Sequence, residues 1–334
     1  MQRADGATGG HFSICYTASH PSGAAGFLKA LNFNAIPPGA ELLVDQHNRF
    51  TSAFIFERDL LAECANRRLT RIVRILDSGE AIVPDAGPLF SRVPYLILEP
   101  ADGDVRAFVA QLSTLDIAFV FRVMKHTLQG LEQLHASMAT HQDLKPSNVL
   151  TQRDGREMKI GDLGCADRMG VDGPRSNRAI PGAATYAPPE QQYGEFGKTW
   201  EERRASDMYL AGSLGTQLIL GHCMSALLQQ QLPPAFRLGA WRGFYRDLLP
   251  YLRRAHAEVI ELLRAKVKDE ALDDAMTDLY VDSIQRMTAP DPAERGHPRD
   301  RAALTSSYEL RRFVSAMNLL MSRAEAKLKG TVGG

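Results

Sequence analysis

Two short segments, HQDLKPSNVL and KIGDLGCAD, carry side chains whose types and spacing suit chemistry on phosphate groups. Asp143, Lys145 and Asn148 lie in the first segment, and Asp162 lies between two glycines in the second. Oxygen ligands without His or Cys suit Mg²⁺, which proteins hold through one or two carboxylates together with substrate phosphates. A carboxylate beside a lysine can orient a hydroxyl while the ammonium neutralises a migrating phosphoryl group. The pattern therefore indicates phosphoryl transfer rather than hydrolysis by paired carboxylates.

The elements that must position these residues are mixed in the first hundred residues of the chain. A loop-like connection with paired prolines is expected at 32–48, and a helical pattern runs from Thr51 to about Arg68. Strand-like patterns bounded by turn signals lie at 12–18, 26–32, 71–79 and 93–99.

Helical patterns dominate the chain after residue 104. They lie at 105–112, 115–135, 206–220, 241–268, 271–287 and 308–329. Three short strand candidates lie around Thr140, Val149 and Met158. A small β-rich part followed by a large helical part predicts an α+β fold with two lobes and a cleft between them. We place the lobes at 1–100 and 101–334, with a hinge at 98–104.

Composition excludes several classes of function. Lys plus Arg and Asp plus Glu each number 39, so the formal net charge is zero and gives no general attraction to nucleic acid or to an anionic membrane. No apolar run has the length of a transmembrane helix, and the N-terminal segment lacks the apolar core of a signal peptide. The four widely spaced cysteines suit free thiols better than disulfides or a zinc site. We therefore expect a cytoplasmic protein that binds neither nucleic acid nor membrane.

Further segments flank the two that carry the polar side chains. GFLKAL, FIFERDLL and YLILEPADGD precede HQDLKPSN, and GAATYAPPE, SDMYLAGSLG and DPAERGHP follow DLG. In this order, over roughly residues 8 to 300, they resemble the eukaryotic-like, bacterial-type serine/threonine protein kinases. The resemblance implies a bilobal protein-kinase-like fold, with a small β-rich N-lobe and a large helical C-lobe. It also implies that Asp207 holds the backbone of the catalytic loop and that Arg295 pairs with Glu190.

The resemblance assigns the site roles residue by residue. Asp143 would accept or orient the proton of a substrate hydroxyl, and Lys145 would contact the transferred phosphate. Asn148 and Asp162 would hold Mg²⁺, while Lys29 would grip the α- and β-phosphates of ATP. The other residues implied at the ATP site are Glu57, the partner of Lys29; Gly10, in the phosphate loop; Glu99 C=O and Ala101 N–H, at adenine; and Leu150 with Leu98, as walls of the adenine pocket.

Some positions in the N-terminal part depart from the family pattern. Only Gly10 remains of the three glycines of the phosphate loop, and the first strand is expected to be missing or short. Phe27 replaces a small residue two positions before Lys29, where it either crowds adenine, stacks on it or turns elsewhere through a bulge. The spacing after Glu57 leaves two rivals for its role, which are Glu63 and Asp59.

Two departures concern the activation segment, the stretch between Asp162 and Glu190. Gln142 replaces the arginine that in this family binds a phosphorylated activation segment, so such phosphorylation is not expected to be needed. Ala183 replaces the threonine that usually follows the glycine of GAATYAPPE, and Thr185 either substitutes for it or does not.

The sequence thus predicts an active serine/threonine protein kinase that uses ATP and Mg²⁺ and acts on a protein substrate. Two alternatives remain open. The altered phosphate loop, Phe27 and Ala183 are compatible with a nucleotide-binding pseudokinase that acts as a scaffold. A small-molecule kinase of the aminoglycoside-phosphotransferase kind shares the HxD motif and a later metal-binding aspartate, but usually lacks a lysine at position 145.

Overall fold

The computed structural model describes residues 2–3, 13–33, 43–83, 91–114, 116–171, 173–195, 197–270, 273–303 and 307–332. The N-terminal part contains an antiparallel sheet of five strands in the spatial order β1-β2-β3-β5-β4 and one long helix, α1. The bounds are β1 Gln2–Arg3, β2 Ser13–Ser19, β3 Ala25–Leu31, α1 Leu43–Asn66, β4 Ile75–Ile82 and β5 Arg92–Leu98.

The strands at the N-terminal end follow the sequence pattern. β2 and β3 pair over seven residues around the turn at 20–23, as expected, and β1 is two residues long. The expectation of a loop up to residue 48 was wrong, because α1 begins at Leu43. Leu43 and Val44 are followed by five polar residues, including exposed Asp45, so the apolar spacing of a helix is interrupted there, although an acidic residue suits a helix N-terminus.

The strand expected from residue 71 also begins later, at Ile75. Residues Ile72 and Val73 are fully buried and join a different sheet: Ile72 forms a parallel bridge with Ile160, and Val73 N–H donates to Ile160 C=O at 2.9 Å. The two halves of this strand-like segment, on either side of Arg74, therefore pair with different sheets, a division that strand propensity alone does not reveal.

The remainder of the chain is mainly helical, with two small sheets of short strands. The strands are β6 Gly103–Asp104, β7 Ala139–Thr140, β8 Val149–Gln152, β9 Glu157–Ile160 and β10 Asp167–Arg168. The helices are α2 Val105–Ala110, α3 Ile117–Ala136, α4 Pro189–Gln192, α5 Trp200–Leu220, α6 Met224–Gln231, α7 Tyr245–Asp269, α8 Asp274–Met287, α9 Pro298–Arg301 and α10 Arg311–Val332. A strand-rich region followed by a larger helical region confirms the α+β prediction.

Helix α5 is the central support of the helical part. Its N-terminus is closed by a capping box between Thr199 and Glu202, and it ends at Gly221 in the left-handed conformation. Almost every residue from Arg203 to Ile219 is buried, on all faces of the helix. Such a helix is held by packing on every side, so polar side chains that it projects are fixed in position.

One buried ion pair joins α4 to the segment that follows α8. Arg295 donates through both terminal nitrogens to the carboxylate oxygens of Glu190 at 2.6 Å, and its Nε donates to Ala289 C=O at 2.8 Å. Its guanidinium also lies 4.8 Å from the centre of the Tyr209 ring. The pairing of Arg295 with Glu190 confirms the contact expected from the sequence.

Within the described part of the chain, no helix combines the length and the apolarity that crossing a bilayer requires.

We predict that Arg295→Met lowers the free energy of unfolding by about 3–5 kcal/mol, because it leaves the Glu190 carboxylate buried without its partner. The measurement is urea unfolding followed by circular dichroism. The control is Arg254→Met, which removes an ion pair to Glu258 from a side chain that is 85% exposed and should change stability by less than about 0.5 kcal/mol. Equal losses in the two variants would contradict the prediction.

Candidate active site

The shape of the catalytic loop is set by a single buried carboxylate from α5. Asp207 is fully buried and accepts hydrogen bonds from His141 N–H and Gln142 N–H, each at 2.8 Å. His135 Nε2 lies 2.9 Å from the same carboxylate. Because these contacts fix two successive amides, they determine where the following residues point. The expected role of Asp207 as a holder of the loop backbone is confirmed by these bonds.

Three of the predicted site residues meet within this loop. Lys145 Nζ donates to Asp143 Oδ2 at 2.7 Å, and Asn148 Nδ2 donates to Asp143 C=O at 2.8 Å and to Oδ2 at 3.2 Å. His141 is buried, with Nε2 at 3.0 Å from the C=O of Gly161, the residue that follows β9. The loop therefore presents a carboxylate flanked by a cation and an amide.

The second cluster crosses the cleft between the two parts of the chain. Lys29 Nζ on β3 donates to Glu57 Oε1 and Oε2 at 2.8 and 3.0 Å, and to Asp162 Oδ1 at 2.8 Å. Asp162 follows β9 in the left-handed conformation, with φ 61° and ψ 66°, which turns its side chain toward Lys29. Strand, helix and turn thus bring three charged groups to one point.

Lys29 and Asp162 stabilise each other in their charged forms. The Lys29 ammonium holds the pKa of Asp162 at about 2, below its ordinary value, although burial opposes this shift. Burial alone would lower the pKa of Lys29, but Asp162 and Glu57 together raise it above its ordinary value. Both Lys29 and Asp162 therefore stay charged throughout the physiological pH range.

The three acids of α1 that compete for Lys29 have separate partners in the structure. Glu57 is 5% exposed and faces Lys29, whereas Glu63 pairs with Arg168 at 2.6 Å and Asp59 pairs with Arg58 at 2.7 Å. The helical period explains this outcome, because residues two and six positions from Glu57 point to other sides of the helix.

The wall of the cleft next to Lys29 includes a large ring. Side chains alternate between the faces of β3, so Phe27 lies on the same face as Lys29, and the register with β2 and β5 has no bulge at this position. Phe27 is partly buried against the core, as is Leu150, which pairs with Lys159 between β8 and β9. Phe27 therefore lines the cleft rather than turning away from it.

The hinge brings the expected adenine-contacting residues to the edge of this cleft. Glu99 follows β5, and its side chain accepts from Lys159 Nζ at 2.6 Å and from Arg74 N–H at 2.8 Å. Ala101 precedes β6, and Gln152 Nε2 donates to the neighbouring Pro100 C=O at 3.1 Å. These contacts anchor the hinge to both parts of the chain. Gly10 lies outside the described residues.

The activation segment lies directly against the catalytic loop. Ala183 N–H donates to Asp143 Oδ1 at 2.7 Å. A Cβ at Gly182 would lie 2.4 Å from Gln142 C=O and 2.9 Å from Asp143 Cα, so only glycine allows this approach. Thr185 is exposed, and its C=O accepts a hydrogen bond from Cys223 Sγ. The hydrogen bond from this segment to Asp143 comes from the Ala183 N–H. Sequence reasoning missed this donor, because a main-chain N–H carries no residue signature.

The oxygen atoms of this site suit a hard divalent cation. Asn148 directs Nδ2 to Asp143 and so turns Oδ1 away, and Asp162 uses Oδ1 for Lys29 while its side chain is 40% exposed. Among the described residues, no group of three or more His, Cys, Asp or Glu is arranged to hold a metal. The donor set therefore fits Mg²⁺ that takes its remaining ligands from phosphates and water.

Comparison with known families matches residues 41–237 to the protein kinase domain. Among curated proteins, a probable serine/threonine-protein kinase of Streptomyces coelicolor is 31% identical over 151 residues, which are 44% of this chain and 21% of the relative. PknL of Mycobacterium tuberculosis, a serine/threonine-protein kinase, is 28% identical over 175 residues, or 52% of this chain and 39% of PknL. PknA, a serine/threonine-protein kinase from the same species, is 27% identical over 45% of this chain and 33% of its own length. The chain thus spans two fifths or less of these relatives.

We predict that Gly182→Ala breaks the bond between Ala183 N–H and Asp143, because the added Cβ displaces the segment from the catalytic loop. Hydrogen exchange measured by mass spectrometry should show the amides around 182–184 exchanging about tenfold faster, the ratio that corresponds to about 1.4 kcal/mol. The control is Gly194→Ala, where φ is +89° and no atom lies within 4 Å of the added Cβ. That variant carries backbone strain without touching the loop, so unchanged exchange at 182–184 is expected. Slow exchange in both variants would refute the assigned contact.

Proposed function

The chain belongs to the protein kinase family, and from this premise we propose that it transfers the γ-phosphoryl group of ATP to serine or threonine hydroxyls of a protein substrate. The observation that carries the proposal is the meeting of two charged clusters, one centred on Lys29 and one on Asp143, across a single cleft. The first cluster comes from β3, α1 and the turn after β9, the second lies within one loop, and each has the residue types that phosphoryl transfer requires.

Lys29 binds the phosphates of ATP in this proposal. Its ammonium is held by Glu57 through both carboxylate oxygens, so the lysine is fixed in position, and its third N–H, which donates to Asp162 Oδ1, would turn to a phosphate oxygen when Asp162 binds Mg²⁺. Asn148 and Asp162 would hold Mg²⁺, which neutralises phosphate charge when bound. Leu150, Leu98 and the hinge at Glu99 and Ala101 would receive the adenine.

Asp143 serves as the proton acceptor. The hydroxyl oxygen of the substrate forms a bond to the γ-phosphorus, the bond between that phosphorus and the bridging oxygen of ADP breaks, and the hydroxyl proton passes to the Asp143 carboxylate. The Lys145 ammonium lies 2.7 Å from Asp143 Oδ2 and can turn toward the transferred group, where it would stabilise the negative charge that develops. Ala183 N–H on Oδ1 keeps the carboxylate in one orientation.

A protein substrate, with serine or threonine as acceptor, is favoured by three observations. Lys145 in DLKPSN resembles the serine/threonine branch of the family, and the compared relatives carry serine/threonine-protein kinase in their names. The buried pair between Glu190 and Arg295 anchors the end of the activation segment, and small-molecule kinases of the aminoglycoside-phosphotransferase kind usually lack this pair.

A cytoplasmic location is favoured by the cysteines. All four are buried free thiols, which suits the reducing cytoplasm.

One observation favours the second candidate, a nucleotide-binding scaffold without catalysis. Phe27 lines the cleft on the face of Lys29, where a ring takes volume that a nucleotide base would otherwise use. In that case ATP binding would be weak or would serve only to stabilise the fold.

Transfer of labelled γ-phosphate from ATP tests the proposal. We expect wild type with Mg²⁺ to label itself or a generic basic protein, and Asp143→Asn to lower the rate about 10²- to 10⁴-fold while ATP still binds. Lys29→Met and Asp162→Asn should also abolish labelling, because each removes a phosphate or metal contact. The control is Asp59→Asn, an exposed acid of α1 that pairs with Arg58, which should keep the wild-type rate.

The other outcomes separate the alternatives. ATP binding by wild type without transfer to any acceptor would replace the proposal with the scaffold. Label that appears only on members of a small-molecule panel would overturn the protein substrate and leave the phosphoryl-transfer site in place.

A further inference from the structure

A buried arginine near the start of α5 joins three segments of the active site. The side chain of Arg203 is 3% exposed. Its Nη2 donates to Ser176 C=O in the activation segment at 2.6 Å, and its Nε lies 3.3 Å from Asp167 Oδ2 on β10. Its Nη1 lies 3.5 Å from Gln142 Oε1 in the catalytic loop. One cation thus holds the activation segment, β10 and the catalytic loop together.

The catalytic loop meets this arginine with a neutral side chain. Gln142 Nε2 donates to Arg203 C=O at 2.8 Å and to Asp207 Oδ1 at 3.0 Å. Arg203 and Asp207 are four residues apart on α5, so they lie on the same face of the helix, one turn apart. The positive charge that the sequence lacks at position 142 is therefore supplied next to it from α5.

Two of the groups that contact Arg203 are unmodified oxygen acceptors of the chain. Asp167 provides a carboxylate whose side chain is 15% exposed, and Ser176 provides a main-chain carbonyl. A buried guanidinium needs a counter-charge and hydrogen-bond acceptors, and these two groups meet that need without a phosphate.

A neighbouring contact connects this cluster to the ATP-binding part of the chain. Arg168, the residue after Asp167, pairs with Glu63 of α1 at 2.6 Å. α1 also carries Glu57, the partner of Lys29. Through the two residues of β10, the order of the activation segment is thus linked to the position of the helix that holds Lys29.

We propose that Arg203, on α5, is a positioning residue that orders the activation segment. The segment can then keep its contact with Asp143 without being phosphorylated. The inference rests on the proposed kinase function. It assigns Arg203 no contact with substrate or ATP, since its effect passes through Ser176 and Asp167.

The test compares Arg203→Met with Arg204→Met. Arg204 is the adjacent buried arginine of α5, but it pairs with Glu309 and donates to Tyr308 C=O, away from the activation segment. We expect Arg203→Met to lower kcat for the protein substrate about 10- to 100-fold, as small displacements of catalytic groups do, while ATP affinity stays near wild type. Hydrogen exchange at 173–183 should become faster in the same variant. Arg203→Lys should restore part of the rate, and Arg204→Met should keep the wild-type kcat and exchange.

A second arm concerns phosphate directly. Wild type treated with phosphatase, until mass spectrometry finds no phosphate on the activation segment, should keep its rate within about twofold, because the acceptors of Arg203 are unmodified groups. A loss of rate that returns on rephosphorylation would overturn the proposal, as would equal kinetics and equal exchange in the Arg203 and Arg204 variants.

Two provisions keep the test decisive. If Arg203→Met does not fold, Asp167→Asn removes the counter-charge alone: faster exchange at 173–183 supports the proposal, and wild-type exchange overturns it. If wild type transfers no phosphate to any acceptor, the proposed function fails. The exchange comparison then decides the role of Arg203 in ordering the segment by itself.

Discussion

The active site depends on the burial of one carboxylate, that of Asp207. A charged group without access to water must be surrounded by hydrogen-bond donors, and here the donors are the main-chain amides of His141 and Gln142 with the side chains of His135 and Gln142. The loop cannot move away without leaving that charge unpaired. Since α5 is packed on all faces, its rigidity passes to the catalytic loop and fixes Asp143.

A second constraint is the balance of charge in the cleft. Lys29 faces two carboxylates, Glu57 and Asp162, and on the other side Lys145 faces Asp143. These five groups sum to one net negative charge. Such a surplus suits the binding of a divalent cation together with polyphosphate, because the cation offsets both the carboxylates and the phosphates. The carboxylates by themselves therefore favour a cation, and a bound cation would reduce their repulsion of a polyphosphate.

The sequence predicted the side-chain contacts better than the main-chain ones. Lys29 with Glu57, Glu190 with Arg295, and Asp207 with the loop backbone follow from motifs, since each needs a particular residue type at a particular spacing. Ala183 N–H on Asp143 could not be predicted, because every residue except proline offers the same donor. The early start of α1 was missed because five polar residues follow Leu43 and Val44 and interrupt the apolar period of the helix.

Arg203 illustrates the limit of reading motifs one position at a time. Gln142 shows that a positive charge is absent at its own position. The charge that compensates for it, Arg203, lies 61 residues later on α5, and only the fold brings the two together. The i, i+4 spacing of Arg203 and Asp207 is the one trace of this in the sequence, and it is common on any helix. What distinguishes the pair is burial, which makes an unpaired guanidinium costly and so selects neighbours that accept hydrogen bonds.

The free-energy cost of burying charged groups also bears on whether the site is catalytic. Charged groups in a partly buried cleft lower the free energy of unfolding relative to apolar residues of similar volume. A chain that served only as a scaffold would therefore gain stability by losing Lys29, Glu57, Asp143 and Asp162. Their joint presence beside Phe27 favours the proposed catalysis over scaffolding.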